Sequence, residues 1–311
     1  MRVIRGRHNI RAQDQGCVIT IGNFDGVHLG HQAILSKVKR VSEDMVCPSL
    51  LICFEPQPKE FFESFQAPAR LTRFREKVEQ LSLAGLDRLL CLQFNAETRG
   101  MSVEDFIALL TEDLKVKALF VGDDFKFGAD RQGDFEALTA AGAAQGFSVD
   151  NFSTLTHDSE RISSTRIRGC LAAGDMHQAE ILLGRPYAIS GRVVYGQQLG
   201  RTLGVPTANI QLHRYKAPLS GVYLVKMLGL DRPYPGVANV GVRPTVESGG
   251  VKPILEVHLL DFEGDLYGRQ VEVVFIEKLR EEQKFSGLPA LKAAIHNDIE
   301  RARRRFDQPT I

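Results

Sequence analysis

The sequence predicts two architectures in series. Residues 1–184 read as a parallel, doubly wound α/β domain, and residues 185–311 as an all-β antiparallel barrel closed by a C-terminal helix. Three observations carry this. In the first half, short continuous apolar runs alternate with segments of helical period, the pattern of strands buried on both faces. Near residue 184, "LLGRPYAISG" gathers Gly184, Pro186 and Gly191 at a natural junction. Beyond it, strand-like segments follow one another with turn signals and no long helical pattern between them.

The elements follow in order. Candidate strands of the first half are residues 17–24 (CVITIGNF), 49–54 (SLLICF), 88–94 (RLLCLQF), 117–122 (KALFVG) and 147–152 (FSVDNF). After the first comes a helix beginning near His31, with Ile34, Val38, Val41 and Met45 as one apolar stripe. A second helix begins at Ser102, with Asp105 three residues on as a capping partner and Phe106, Leu109, Leu110 and Leu114 facing inward. The second half offers "AISGRVVYG", "GVYLVKMLG", "YPGVANVG", "PILEVHLLDF" and "QVEVVFIEKL" as strands, then a helix over "LPALKAAIHNDIERARRRF" with a Pro in its first turn.

Composition narrows the function. With 311 residues, 43% hydrophobic and 25% charged, the chain has the make-up of a globular protein with two cores. A net charge of +1 gives no broad field for nucleic acid or an anionic membrane. The basic run "RARRRF" reads as a solvated helix end complementing the dipole. Cys17, Cys47, Cys53, Cys91 and Cys170 show no C-x-x-C spacing, which argues against a zinc site and fits a reducing cytoplasm. Without an apolar leader or spanning run, the expected location is cytoplasmic.

The first half places "TIGNFDGVHLGHQAIL" where a strand gives way to a helix, with His28 and His31 three apart. Ligands of doubly wound sheets bind at the carboxyl ends of strands, and a helix N-terminus offers free N–H groups to an anion. Gly26 and Gly30 let a phosphate approach the backbone. Two imidazoles there can donate to phosphate oxygens as charge develops, which suits nucleotidyl transfer. A turn with two incidental histidines is the plain alternative. After another strand, "VGDDFKFGADRQGD" packs Asp123, Asp124, Lys126, Arg131 and Asp134 among glycines and phenylalanines. "RISSTRIRG" joins hydroxyls to Arg161, Arg166 and Arg168, good phosphate ligands, although a helix N-cap explains the serines almost as well.

In the second half, "GQQLGRTLGVPTANI" fits neither a Walker A loop nor a dinucleotide fingerprint. Gly196, Gly200 and Gly204 make a loop able to lie over a phosphate chain, and Thr207 and Asn209 are hard ligands suited to Mg²⁺. A β-turn region with a Pro-Thr cap explains the stretch equally well. In "ILEVHLLDF", Leu255, Val257 and Leu259 alternate with Glu256 and His258, which therefore face a cleft or solvent.

Taken in order, "GNFDGVHLGH", "FEPQPKEFF", "GDDFKFG", "ISSTRIR", "GQQLGRTLGVPTANI", "PGVANVGVRPT" and "EVHLLDF" resemble the bacterial bifunctional riboflavin kinase/FAD synthetases over nearly the whole chain. The resemblance implies a Rossmann-like nucleotidyltransferase domain that adenylylates FMN, then a riboflavin kinase barrel. It implies that His28 and His31 contact ATP phosphates, with Gly22, Phe24, Gly26 and Gly30 in the same nucleotide-binding motif. Arg161, Ser164, Thr165 and Arg168 would hold the triphosphate, and Asp124, Phe125 and Arg131 would lie near flavin and nucleotide. Lys126 stands where the family frequently has arginine, so the charge survives but a bidentate contact does not. In the kinase, Gly200 and Gly204 would meet ATP phosphate, Thr207 and Asn209 would hold the ATP-bound Mg²⁺, and Glu256 would be the base. His258 is read as structural. The implied substrates are riboflavin, FMN and ATP, with FMN and FAD as products. Two rivals stand beside this reading: an H-x-G-H nucleotidyltransferase acting on another nucleotide, and a non-catalytic flavin- or nucleotide-binding regulator.

Overall fold

The computed structural model describes residues 1–122, 124–196, 200, 204–244 and 251–307. Strands β1 (Arg2–Arg5), β2 (Val18–Ile21), β3 (Ser49–Glu55), β4 (Arg88–Gln93), β5 (Ala118–Gly122) and β6 (Ser148–Phe152) form one sheet in the order β1-β4-β3-β2-β5-β6. Every neighbouring pair is parallel. β2, β3 and β5 are buried along almost their whole length, as strands covered on both faces must be.

β1 falls where the apolar pattern marks no strand. Only Ile4 of its residues is buried, and charge helps to fix it at the sheet edge. Arg2 and Arg88 reach Asp14 at 3.0 and 3.4 Å, and the Asp14 side chain is fully buried.

Helix α1 (Leu29–Asp44) follows β2, with its buried stripe turned by one residue from the expected one. Leu35 and Val38 are buried and Ile34 and Val41 half-buried, while Met45 lies past the last turn and is exposed. Then come α2 (Pro58–Glu63), α3 (Phe74–Leu83), α4 (Ala96–Arg99), α5 (Val103–Ala108) and α6 (Phe135–Gln145). Ser102 caps α5 as expected, its hydroxyl accepting from the Asp105 N–H. After Ala108 the helix widens into a π turn over Leu109–Asp113. With that extra residue in the turn, Leu109, Leu110 and Leu114 all join Phe106 in the core.

The chain divides into two compact units, residues 1–68 with 74–163, and residues 69–73 with 164–311. In the second, α7 (Ser164–Ala173) and α8 (Met176–Leu183) precede the strands. β7 (Thr156–His157) and β8 (Glu160–Arg161) pair as a two-stranded sheet of the first unit, and the strands of the second are β9 (Ala188–Val194), β10 (Ala208–Gln211), β11 (Gly221–Leu228), β12 (Tyr234–Pro244), β13 (Val251–Leu259) and β14 (Gln270–Arg280). They close as a barrel, β10-β13-β12-β11-β14-β9, and every pair is antiparallel.

The C-terminal helix (Leu288–Asp307) lays Ile299, Ala302 and Phe306 against Val222, Leu224 and Leu279 of the barrel. Its Asp298, 2% exposed, accepts a forked pair of hydrogen bonds from Arg280 at 3.0 and 2.8 Å. Residues 69–73 join this unit through their backbone. The Ala69 carbonyl accepts from Arg168 at 2.6 Å, and the Leu71 carbonyl accepts from the Tyr187 hydroxyl at 3.3 Å.

Candidate active sites

In the first unit, the strand order reverses at β2, which lies between β3 and β5. The crevice at the carboxyl ends of β2 and β5 is therefore the topological switch point, where doubly wound sheets bind ligands. Residues 22–28 leave β2 there, and Asp124, Phe125 and Lys126 follow β5; Asp123 lies outside the described residues. The loop after β2 is tightly wound. Phe24, Gly26 and Val27 have φ of 48°, 85° and 42°, a concentration of left-handed backbone typical of functional turns.

His28 is the N-cap of α1, and its Nδ1 accepts from the His31 N–H at 3.3 Å. A neutral His28 consequently carries its proton on Nε2. The His28 and His31 rings stack with centroids 3.6 Å apart, and Phe24 stacks on His31 at 4.5 Å. Glycines give this stack its room. A Cβ at Gly30 would lie 3.2 Å from the His28 ring, and one at Gly22 would lie 3.1 Å from the Phe24 ring.

Burial holds the His31 pKa well below its ordinary 6.5, and His28, Lys77 and Arg161 push it the same way. His31 is thus neutral at physiological pH. Its Nδ1 and the Asn23 Oδ1 are buried without a hydrogen-bond partner among the described residues. Arg161 stands 3.6 Å from Asp124, both exposed.

The same unit holds a cavity of about 430 Å³ whose lining includes Phe54, Phe62, Phe94, Phe125, Lys126 and Arg131. α2 begins at Pro58 and carries Phe62 to Phe94, where the rings meet edge-on at 5.8 Å. Phe125 stacks on Phe127, and Lys126 pairs with Asp134 at 3.2 Å. A cavity of flat aromatic walls with cations in its lining suits a planar heterocycle carrying an anionic tail.

Ser164 and Thr165 open α7 in the second unit. Arg168, one turn on, donates through Nε to the Ala69 carbonyl, so one of its donors serves the fold.

In the barrel, Leu255, Val257 and Leu259 are buried while Glu256 and His258 are half-buried on the other face. Register places Glu256 opposite Asn209 of β10 and opposite Asn239 of β12. The three form one row across adjacent strands, and directly opposed side chains share a face. His258 Nδ1 lies 2.8 Å from the Pro206 carbonyl, fixing the segment that carries Thr207.

The glycine loop presses on the same segment. A Cβ at Gly196 would lie 2.3 Å from Asn209 Nδ2, and one at Gly200 would lie 3.2 Å from Thr207 Oγ1. Gly204 has a φ of 77° with open space beside it. Residues 197–199 and 201–203 of this loop, and Thr245 of the "PGVANVGVRPT" motif, lie outside the described residues. Thr207 and Asn209 supply oxygen donors only, and two protein ligands suffice for Mg²⁺, which retains waters and substrate phosphates. Among the described residues there is no cluster of His, Cys, Asp and Glu for a softer metal.

Comparison with known proteins finds matches in both halves of the chain. A family model for FAD synthetase matches residues 10–166, and one for riboflavin kinase matches residues 183–306. The bifunctional riboflavin kinase/FMN adenylyltransferase of Pseudomonas fluorescens is 53% identical, covering 97% of each chain. Its Escherichia coli (strain K12) counterpart is 50% identical over 98% of each. The chain belongs to the bifunctional riboflavin kinase/FMN adenylyltransferase family.

The family fold extends to a crystal structure from Streptococcus pneumoniae, with a TM-score of 0.83, 28% identity, and coverage of 97% of this chain and 99% of that one. That protein is named a macrolide-efflux protein. In the present family member, no helix among the described residues is long and apolar enough to cross a membrane.

Sequence reasoning named Phe125 but missed Asn239 and the cavity residues Phe54, Phe62 and Phe94. Strand register reveals Asn239, and only the fold brings Phe54, Phe62 and Phe94 together with Phe125. It also passed over Lys77, which is fully buried on α3.

Proposed function

We propose that the two activities of the family reside in the two units, each with its own ATP site. In the first, the cavity of phenylalanines holds the isoalloxazine of FMN, with Lys126 and Arg131 near its phosphate. His28 and His31, with Arg161, meet the ATP phosphates at the N-terminus of α1. An FMN phosphate oxygen attacks the α-phosphorus directly, the bond to the β-phosphate breaks, and pyrophosphate leaves. The imidazole stack donates to the phosphoryl oxygens as their charge grows. A neutral His31 suits this work, because N–H donors at a helix N-terminus need no further charge to favour an anion.

In the second unit, Glu256 takes the proton from the ribityl 5′-hydroxyl of riboflavin, whose oxygen attacks the γ-phosphorus of ATP, and ADP leaves. Thr207 and Asn209 hold Mg²⁺, which when bound neutralises polyphosphate charge. Residues 185–311 carry this step. Free cysteines fit a reducing compartment, and we place the enzyme in the cytoplasm.

The observation that carries the reading is the stacked imidazole pair capping α1 at the switch point of a unit that also holds the aromatic cavity. The test is a pair of variants assayed with riboflavin, FMN, ATP and Mg²⁺. His31→Ala loses FAD formation by about a hundredfold or more while riboflavin phosphorylation persists. Glu256→Gln blocks FMN formation by a similar factor, yet converts added FMN to FAD. Loss of both activities in either folded variant overturns the division.

A further inference from the structure

Lys77 lies on α3 with none of its side chain exposed, and its Nζ has no hydrogen-bond partner among the described residues. Lysine is almost never fully buried unless paired, because an uncompensated ammonium is costly in the core. Three and four residues away on the same helical face, Phe74 and Leu81 pack in the cluster that contains Phe24 and Val27. Those two belong to the loop that carries His28 into α1. The orphan cation thus sits on the helix that braces the imidazole stack, in the same unit as the orphan polar atoms of Asn23 and His31.

We propose that Lys77 is a positioning residue for FAD formation, a fixed cation of the core whose field stabilises the anionic substrate at the His28–His31 stack without touching it. This rests on the assignment of adenylyl transfer to that stack. A buried charge is poorly screened, so its field reaches across a few side chains where a surface charge would not. Burial chiefly keeps a second proton off His31, and His28, Lys77 and Arg161 add to it in that order. Around Lys77 stand the Cys53 and Cys91 thiols, which Glu55 also faces and to which Arg5 adds at Cys91. The two thiols face each other across β3 and β4.

The test uses the full chain with Lys77→Met and Lys77→Gln, and riboflavin phosphorylation as the control for folding. With that control within about twofold of the parent, kcat for FAD formation falls on the order of tenfold or more while KM for FMN holds. The His31 imidazole, followed by NMR, then titrates at higher pH, because a neighbouring cation has gone. FAD formation at the parental rate, or a loss with the His31 titration unmoved, overturns the proposal.

Should neither variant fold, NMR of ¹³C-lysine in the parent protein decides. A charged Lys77 at the assay pH supports the role, and a neutral one overturns it. His31→Ala separates the layers. If it keeps FAD formation, the stack itself is misassigned; if it loses FAD formation while Lys77→Met does not, only the lysine is.

Discussion

Replacing Gly200 by alanine tests how the kinase segment is held. The added Cβ would sit 2.4 Å from the Val205 carbonyl oxygen and 3.2 Å from Thr207 Oγ1. Carbon and oxygen in contact stand about 3.3–3.6 Å apart, so something must move by roughly 1 Å. The obstacle at Val205 is backbone, and the Val205 N–H donates to the Gly200 carbonyl at 2.8 Å. The displacement therefore passes along the chain to Thr207, two residues on. A misplacement of about 1 Å at a reacting centre costs on the order of a hundredfold.

Initial rates of FMN formation from riboflavin and ATP should fall by about that factor, while FAD formation from added FMN serves as the unchanged reference. Gly268→Ala, also in the second unit but outside the proposed site, is the matched control. Its left-handed φ of 77° makes a side chain cost about 1 kcal/mol of stability, but nothing lies within 4 Å of the new carbon. Its kinase rate should stay within a fewfold of the parent. Gly200→Ala at the parental rate, or equal losses in both variants, would refute a steric role for this glycine.

Other outcomes are expected. Asp298→Ala strands the Arg280 guanidinium beneath the C-terminal helix, so the second unit should lose about 3 kcal/mol in urea denaturation. An undiminished midpoint would show the forked pair to be idle. Phe125→Ala removes an aromatic wall of the cavity and should raise KM for FMN in FAD formation by about tenfold, with KM for riboflavin in phosphorylation unmoved. Burial depresses the pKa of both His31 and His258 below 6.5. Between each folded value and 6.5 the unfolded chain binds a proton that the folded chain refuses. Stability is therefore full above 6.5 and falls as pH drops through that window, by at most about 1.4 kcal/mol per pH unit for each group. A Tm constant from pH 6.5 to 5 would contradict this.

Local pattern and long-range arrangement divided what could be read from the chain. Buried parallel strands announce themselves, since covering both faces requires continuous apolar runs, and β2, β3 and β5 were legible for that reason. β1 was not, because an edge strand fixed partly by Arg2, Arg88 and a buried Asp14 has no apolar signature. The π turn after Ala108 was illegible as well, since packing rather than propensity selects it. The place of His28 and His31, where β2 gives way to α1, was legible from the change of period. Asn239 and the phenylalanine cavity depend on register and on crossovers, which link residues far apart in the chain. The capture of residues 69–73 by the second unit rests on backbone carbonyls, which carry no sequence identity at all.

The glycines of the two loops show why such motifs are strict. A pliable phosphate loop would need glycine for conformation, and Gly26 and Gly204, with φ of 85° and 77°, meet that description. Gly22, Gly30, Gly196 and Gly200 do not have left-handed φ. Each instead leaves space for a named side chain: the Phe24 ring, the His28 ring, Asn209 and Thr207. Alanine at these four positions would disturb these side chains, proposed to line or act in the sites, before it disturbed any phosphate. Glycine is then demanded by the neighbour it makes room for, and its absence would appear first in kcat and only afterwards in stability. The "GNFDGVHLGH" and "GQQLG" stretches belong to unrelated folds, yet both place a glycine against a side chain proposed to act. Positioning by close packing is what a phosphoryl or nucleotidyl transfer asks of a protein, since such reactions leave it little covalent work to do.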